Sequence, residues 1–259
     1  MVDEVNKVIS FRVEHFSLFT VLEPEELETN IDGGIYQENY RIISFPGNPD
    51  DSDLEANLTQ TLGPYDDTQW RCFAYDYKSD TYMEMNESGF KERFPLEPGR
   101  AYWLISRNDK DLKVKGLSID PTKPFEGVLH PGWNMVGNPY NKSISMEDYD
   151  ILISSDGVHF ESILTTSLTD NYLYRFDPQK DSDGNIISWY TMVDPSVESI
   201  QPYEGYWLRS YYGSDLIVRI VPKTGQSAYL KPSISKKLIY LARRSLMRLT
   251  DAIGGICMA

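Results

Sequence analysis

Two stretches of this 259-residue chain repeat one another, and the repeat governs what the chain can fold into. Residues 96–106 read LEPGRAYWLIS and residues 200–210 read IQPYEGYWLRS. At an offset of 104, Pro98/Pro202, Tyr102/Tyr206, Trp103/Trp207, Leu104/Leu208 and Ser106/Ser210 are identical. The same offset pairs Leu112-Lys113-Val114 with Leu216-Ile217-Val218. Self-similarity at a fixed spacing marks a duplicated structural unit. Upstream, Phe73-Ala74-Tyr75-Asp76 pairs with Tyr174-Arg175-Phe176-Asp177 at an offset of 101, and residues 40–46 pair with 133–139 at 93. The second copy therefore carries insertions of eight and three residues, and these fall between strands, where loops absorb length.

Each copy reads as a series of short strands. Leu112 and Val114 alternate with Lys113 and Lys115; Leu216, Val218 and Ile220 alternate with Asp215 and Arg219. A period of two is that of a half-buried strand. In the preceding strand Tyr102 and Leu104 share one face, and Trp103 and Ile105 the other. Arg209 replaces Ile105 in the second copy, so the Tyr–Leu face is expected toward the core and the Trp face covered only at its start. In the first copy DDSDLEANLTQTL offers Asp53 as the cap of a short helix with Leu54, Leu58 and Leu62 on one face. SMEDYDILI, with Ser145 as cap, is its expected counterpart in the second. The predicted fold is all-β: two tandem homologous β-sandwich or small-barrel modules, each with one short helix, and a C-terminal amphipathic helix. The expected boundaries are a strand remnant of a preceding β-domain at 1–22, an acidic linker at 23–39, modules at 40–120 and 121–222, and a basic amphipathic tail at 223–259.

The second copy opens with Pro131-Gly132-Trp133-Asn134-Met135-Val136-Gly137-Asn138-Pro139 and closes with Gly205-Tyr206-Trp207-Leu208. This resembles the tandem β-modules of large bacterial secreted or surface-anchored proteins, in which a GWN strand begins the unit and a PG-x-GYW strand nears its end. The resemblance covers residues 38–116 and 127–220. The first copy departs from it, with Tyr40-Arg41 where Trp-Asn is usual and Ala101 in place of the second Gly. The stretch Val8–Val21 is similar to the last strands of a preceding surface-protein domain. The resemblance implies an extracellular or cell-surface, non-catalytic structural or adhesion role beside other domains of a longer chain, and supplies no catalytic residues. The alternatives are a carbohydrate-binding module pair appended to a secreted enzyme, then a hydrolase. A start without a basic, apolar signal peptide leaves a cytoplasmic location as the alternative.

A net charge of −14 argues against nucleic-acid binding, which needs a basic surface. His15, His130 and His159 are isolated from Cys and from one another, and Cys72 and Cys257 lack metal or disulfide spacing. The chain carries no phosphate-loop, zinc-protease or nucleophile-elbow motif. Asp181, Asp183 and Gly184 resemble the middle of a calcium loop, so calcium is the one cofactor considered; a hairpin turn explains the same residues. Eighteen Tyr and five Trp suit sheet packing or glycan stacking, and Tyr211, Tyr212, Trp189 and Tyr190 are the candidate stacking residues. In the tail, Leu238, Leu241, Ser245, Leu246, Leu249 and Ile253 fall on one face of a helical projection and Lys236, Lys237, Arg243, Arg244 and Arg248 largely on the other. Such a helix can meet an anionic membrane surface, dock on an acidic partner or the modules themselves, or end the chain loosely.

Overall fold

The computed structural model describes residues 25–223 and one short antiparallel pair, β1 (Val2–Asp3) with β2 (Val8–Ile9). The rest of the expected strand remnant, His15, the basic tail and Cys257 lie outside the described residues. The first module runs β3 (Glu25–Ile31), β4 (Arg41–Ser44), β5 (Asn48–Pro49), α1 (Leu54–Leu62), β6 (Trp70–Asp76), β7 (Thr81–Glu84), α2 (Phe90–Arg93), β8 (Ala101–Ser106) and β9 (Lys110–Leu117). The second runs β10 (Phe125–Leu129), β11 (Gly132–Gly137), β12 (Tyr149–Ser154), β13 (Glu161–Ser162), β14 (Leu173–Lys180), β15 (Ile186–Val193), β16 (Gly205–Ser210) and β17 (Leu216–Pro222).

Each module is a sandwich of two antiparallel sheets. The first has orders β3-β9-β5 and β4-β8-β6-β7; the second has β10-β17-β12-β13 and β11-β16-β14-β15. The two topologies coincide except for β13, an added edge strand of the second module, and the pairings Phe73 with Trp103 and Tyr174 with Trp207 reproduce the sequence alignment. Tyr102 and Leu104 enter the first core and Tyr206 and Leu208 the second, as the alternation requires. Asp53 caps α1 by accepting from the Glu55 and Ala56 N–H groups, and Leu54, Leu58 and Leu62 are buried.

Two expectations are corrected. Residues 23–39 are not simply a linker, because Glu25–Ile31 pairs along its whole length with β9. Leu27 and Ile31 point into the core while Glu28 faces solvent and meets Lys113 at 3.5 Å; the acidic residues masked a period of two. The second module has no helix among its described residues. Tyr149, Ile151 and Ile153 bury alternately, so β12 takes the expected helix's place, and Ser145 instead closes a turn by accepting from the Tyr149 N–H at 2.9 Å. Among the described residues the two α-helices, α1 and α2, both belong to the first module.

The Trp face is covered at its start, as expected, and Arg209 beyond it is exposed; the cover is the other module. Trp103, Trp207, Ile42 and Ala101 form a buried cluster between the modules, ringed by Tyr40, Phe73, Tyr75, Trp133, Tyr174 and Phe176. The contacts are reciprocal. Trp103 meets Phe176 edge-on at 4.8 Å, and Trp207 meets Tyr75, the counterpart of Phe176, edge-on at 5.0 Å. The backbone repeats the exchange: Ser44 N–H donates to Tyr203 C=O and Gly137 N–H to Gly99 C=O, both at 2.9 Å. Residue i meeting j′ while j meets i′ defines an isologous interface, here built within one chain. Edge-to-face rings contribute about 0.5–1.5 kcal/mol per pair beyond their area burial.

Candidate functional site

Each sequence candidate can be placed on this frame. Tyr190 belongs to the docked aromatic cluster and meets Phe176 edge-on at 5.6 Å; Trp189 stacks on Phe176 at 6.0 Å. Tyr211 and Tyr212 follow β16 and are exposed. The ladder sets Tyr190 against Phe176, and the Tyr174–Trp207 pairing sets Phe176 level with Gly205. Six residues then separate that level from Tyr211, about 20 Å at the rise of a strand. The four candidates therefore form two places at opposite ends of the sheet, not one platform.

The Tyr211 end has a built environment. Its hydroxyl donates to Asp170 at 2.6 Å, and Arg209 lies over both Trp133 (5.5 Å) and Tyr211 (5.2 Å). Burial pushes the Asp170 carboxyl up, against the Tyr211 hydrogen bond and the Arg209 charge, which lower it. Ile105 occupies the Arg209 position in the first module, so this cluster is peculiar to the second. Sequence reasoning named Tyr211 and Tyr212 but missed Arg209 and Asp170. The replacement of an apolar residue by Arg209 within a repeated strand was the available signal.

Asp181 and Asp183 sit in the β14–β15 hairpin. The Asp181 carboxylate accepts from Asp183 N–H and Asn185 N–H, each at 2.9 Å, and Gly184 adopts φ +85°. The Asn185 amide leads the hydrogen bonds that hold its pKa low. These are the interactions of a turn, and no group of three acidic, His or Cys side chains suited to a metal occurs among the described residues.

Two His–Asp pairs also emerge. His130 Nδ1 lies 2.9 Å from Asp215 and the ring stacks on Tyr77 of the first module at 3.8 Å. His159 Nδ1 lies 2.6 Å from Asp156, a surface pair that raises the histidine's pKa and lowers the aspartate's. Neither ring is hydrogen-bonded to a Ser, Thr or Cys side chain among the described residues. Cys72 is fully buried, and burial pushes its thiol pKa up, the opposite of an activated nucleophile.

His130 and Tyr77 stand at the rim of a cleft of about 730 Å³. Its walls come from β10 and β11 of the second module and from Tyr77, Arg93 and the Glu97–Arg100 turn of the first; its floor is aliphatic, with Ile144, Ile151 and Leu173. Comparison of the chain with protein-family models, curated proteins and solved structures finds no match.

Proposed function

We propose that this chain is a non-catalytic structural module pair, a stiff two-sandwich unit of an extracellular or cell-surface protein that acts as a spacer or in adhesion. The observation that carries the reading is the reciprocal packing of Trp103 on Phe176 and Trp207 on Tyr75. The repeated aromatic residues are engaged in holding one module against the other, which suits a part whose task is fixed shape. Titration of a soluble glycan panel, followed by tryptophan fluorescence and calorimetry, tests it; no saturable binding is expected.

A second reading, glycan binding, draws on the Arg209–Tyr211 cluster and the exposed Tyr212. A stacked ring with a few hydrogen bonds gives micromolar to millimolar affinity, about 4–8 kcal/mol. Saturable binding abolished by Tyr212→Ala, with the fold intact, would establish this reading in place of the first.

A further inference from the structure

The cleft follows the seam of the second sandwich, where the chain passes from β10 in one sheet to β11 in the other. Its volume of about 730 Å³ falls within the size range of ligand clefts. Both strands lie at sheet edges. Successive backbone groups of a strand point to opposite sides, so alternate N–H and C=O groups of β10 and β11 face the cleft. One end of the β11 edge is already extended by the first module, where Arg100 bridges Val136 in antiparallel sense. The β10 edge has no such partner among the described residues.

The pseudo-twofold relation shows why the cleft lies on this side. In the first module residues 32–40 cross from β3 to β4, with a single 3₁₀ turn at Gln37–Asn39. Lys180 of the second module pins that turn through Glu38 at 3.0 Å. In the second module the crossing is His130-Pro131 alone. The segment that spans the seam in one copy is absent from the other.

We propose that the free edge of β10 is a docking site for an extended peptide segment of a partner protein, which adds as a strand and lays alternate apolar side chains onto the aliphatic floor. The site lies across the cleft from a strand edge the molecule already pairs in this way, the antiparallel contact of Gly99–Arg100 with β11 of the opposite sheet. An acyl chain would expel water without replacing its hydrogen bonds and leave those backbone groups unsatisfied. A peptide strand satisfies the same groups. A Cβ built on Gly127, at the middle of β10, would already touch the Phe125 ring at 3.3 Å, so a larger side chain there crowds the strand. The chain's net charge of −14 favours a segment flanked by Lys or Arg. The inference adds a partner to the structural reading above and is independent of it: a module pair without this site is still a spacer.

The test uses the full chain and a panel of fluorescein-labelled nine-residue peptides. Each has Lys at both ends, Val, Ile, Leu or Phe at alternate positions, and Thr between. Fluorescence anisotropy is expected to show saturable binding by at least one member, with Kd of about 100 μM or tighter. Proline at the central Thr of that peptide, and Gly127→Leu in the protein, are each expected to weaken binding tenfold or more. In the wild-type complex, amide exchange should slow across residues 125–129. Three results overturn the proposal: no peptide bound at millimolar concentration, equal binding of the proline peptide, or exchange protection confined to other strands. Displacement of the bound peptide by dodecanoate without protection of β10 would assign the cleft to acyl chains instead.

Discussion

At Ala101 and Gly205 two equivalent residues of the repeat meet each other, so the pseudo-twofold axis passes between them. A Cβ built on Gly205 would lie 2.6 Å from the Ala101 Cβ and 2.3 Å from Ile42 Cγ2. Ser44 and Gly137, another equivalent pair, meet the same way, with a Cβ on Gly137 falling 2.1 Å from the Ser44 Cβ. At both crossings the second module supplies glycine and the first a side chain. Two copies of the first module could not dock so closely, and the asymmetry favours pairing of unlike modules. Gly205→Ala is expected to destabilise the protein by about 1–3 kcal/mol through overpacking. Adding Ala101→Gly should recover part of that loss, as measured by equilibrium urea unfolding. From the sequence, Ala101 is a departure from the repeated glycine; its reason is invisible until the two faces meet.

At the scale of elements, alternation was the reliable signal and composition the misleading one. The repeat strands β8, β9, β16 and β17 and the capped helix α1 were all legible, because each depends on a local period and a local cap. Strand β3 was obscured by its run of Glu residues, and β12 because SMEDYDILI, with Ser145 as cap, stood as the counterpart of α1 where Ile151 and Ile153 demanded a strand. The β6–β7 hairpin carries a testable electrostatic element. Glu84 takes a bidentate pair of 2.7 Å hydrogen bonds from Arg71, with the Tyr65 hydroxyl as a further donor. The Arg71 hydrogen bond leads in holding the Glu84 carboxyl below its ordinary value, against desolvation, which raises it. A pKa depressed in the folded state means the stabilisation is fully present above the unfolded value, about 4.3. It is lost as pH falls through the folded value. Glu84→Gln should therefore lower stability at neutral pH and flatten its decline in acid, measured by urea unfolding at pH 7 and near pH 3. For the Asp181 hairpin, the turn hydrogen bonds lead us to expect a melting temperature unchanged by millimolar calcium or by chelator. A calcium-dependent rise would reinstate the loop as a metal site.

For the whole molecule, the repeat told how many modules there are but not how they meet, since which faces pack together depends on contacts between copies that neither copy's pattern contains. The same limit kept the candidate glycan residues together in the sequence reading, although the ladder sets them at opposite ends of one sheet. The docked aromatic cluster makes the final prediction. Trp207 is 2% exposed, and its nearest edge-to-face partner, Tyr75, belongs to the other module. Trp207→Ala should cost about 3–5 kcal/mol, the range for emptying a buried aromatic site. The loss should not stay in the second module. With Trp207 gone, Tyr75 and Tyr82 lose the ring they pack on, so β6 and β7 of the first module should exchange their amide protons faster. Trp103→Ala should act in the opposite direction, loosening β14 and β15 through Phe176. Hydrogen exchange resolved by segment distinguishes this from two independent beads, in which each substitution would disturb only its own sandwich. Exchange confined to the substituted module in both variants would show that docking adds nothing to stability, and the stiff-spacer reading would lose its foundation.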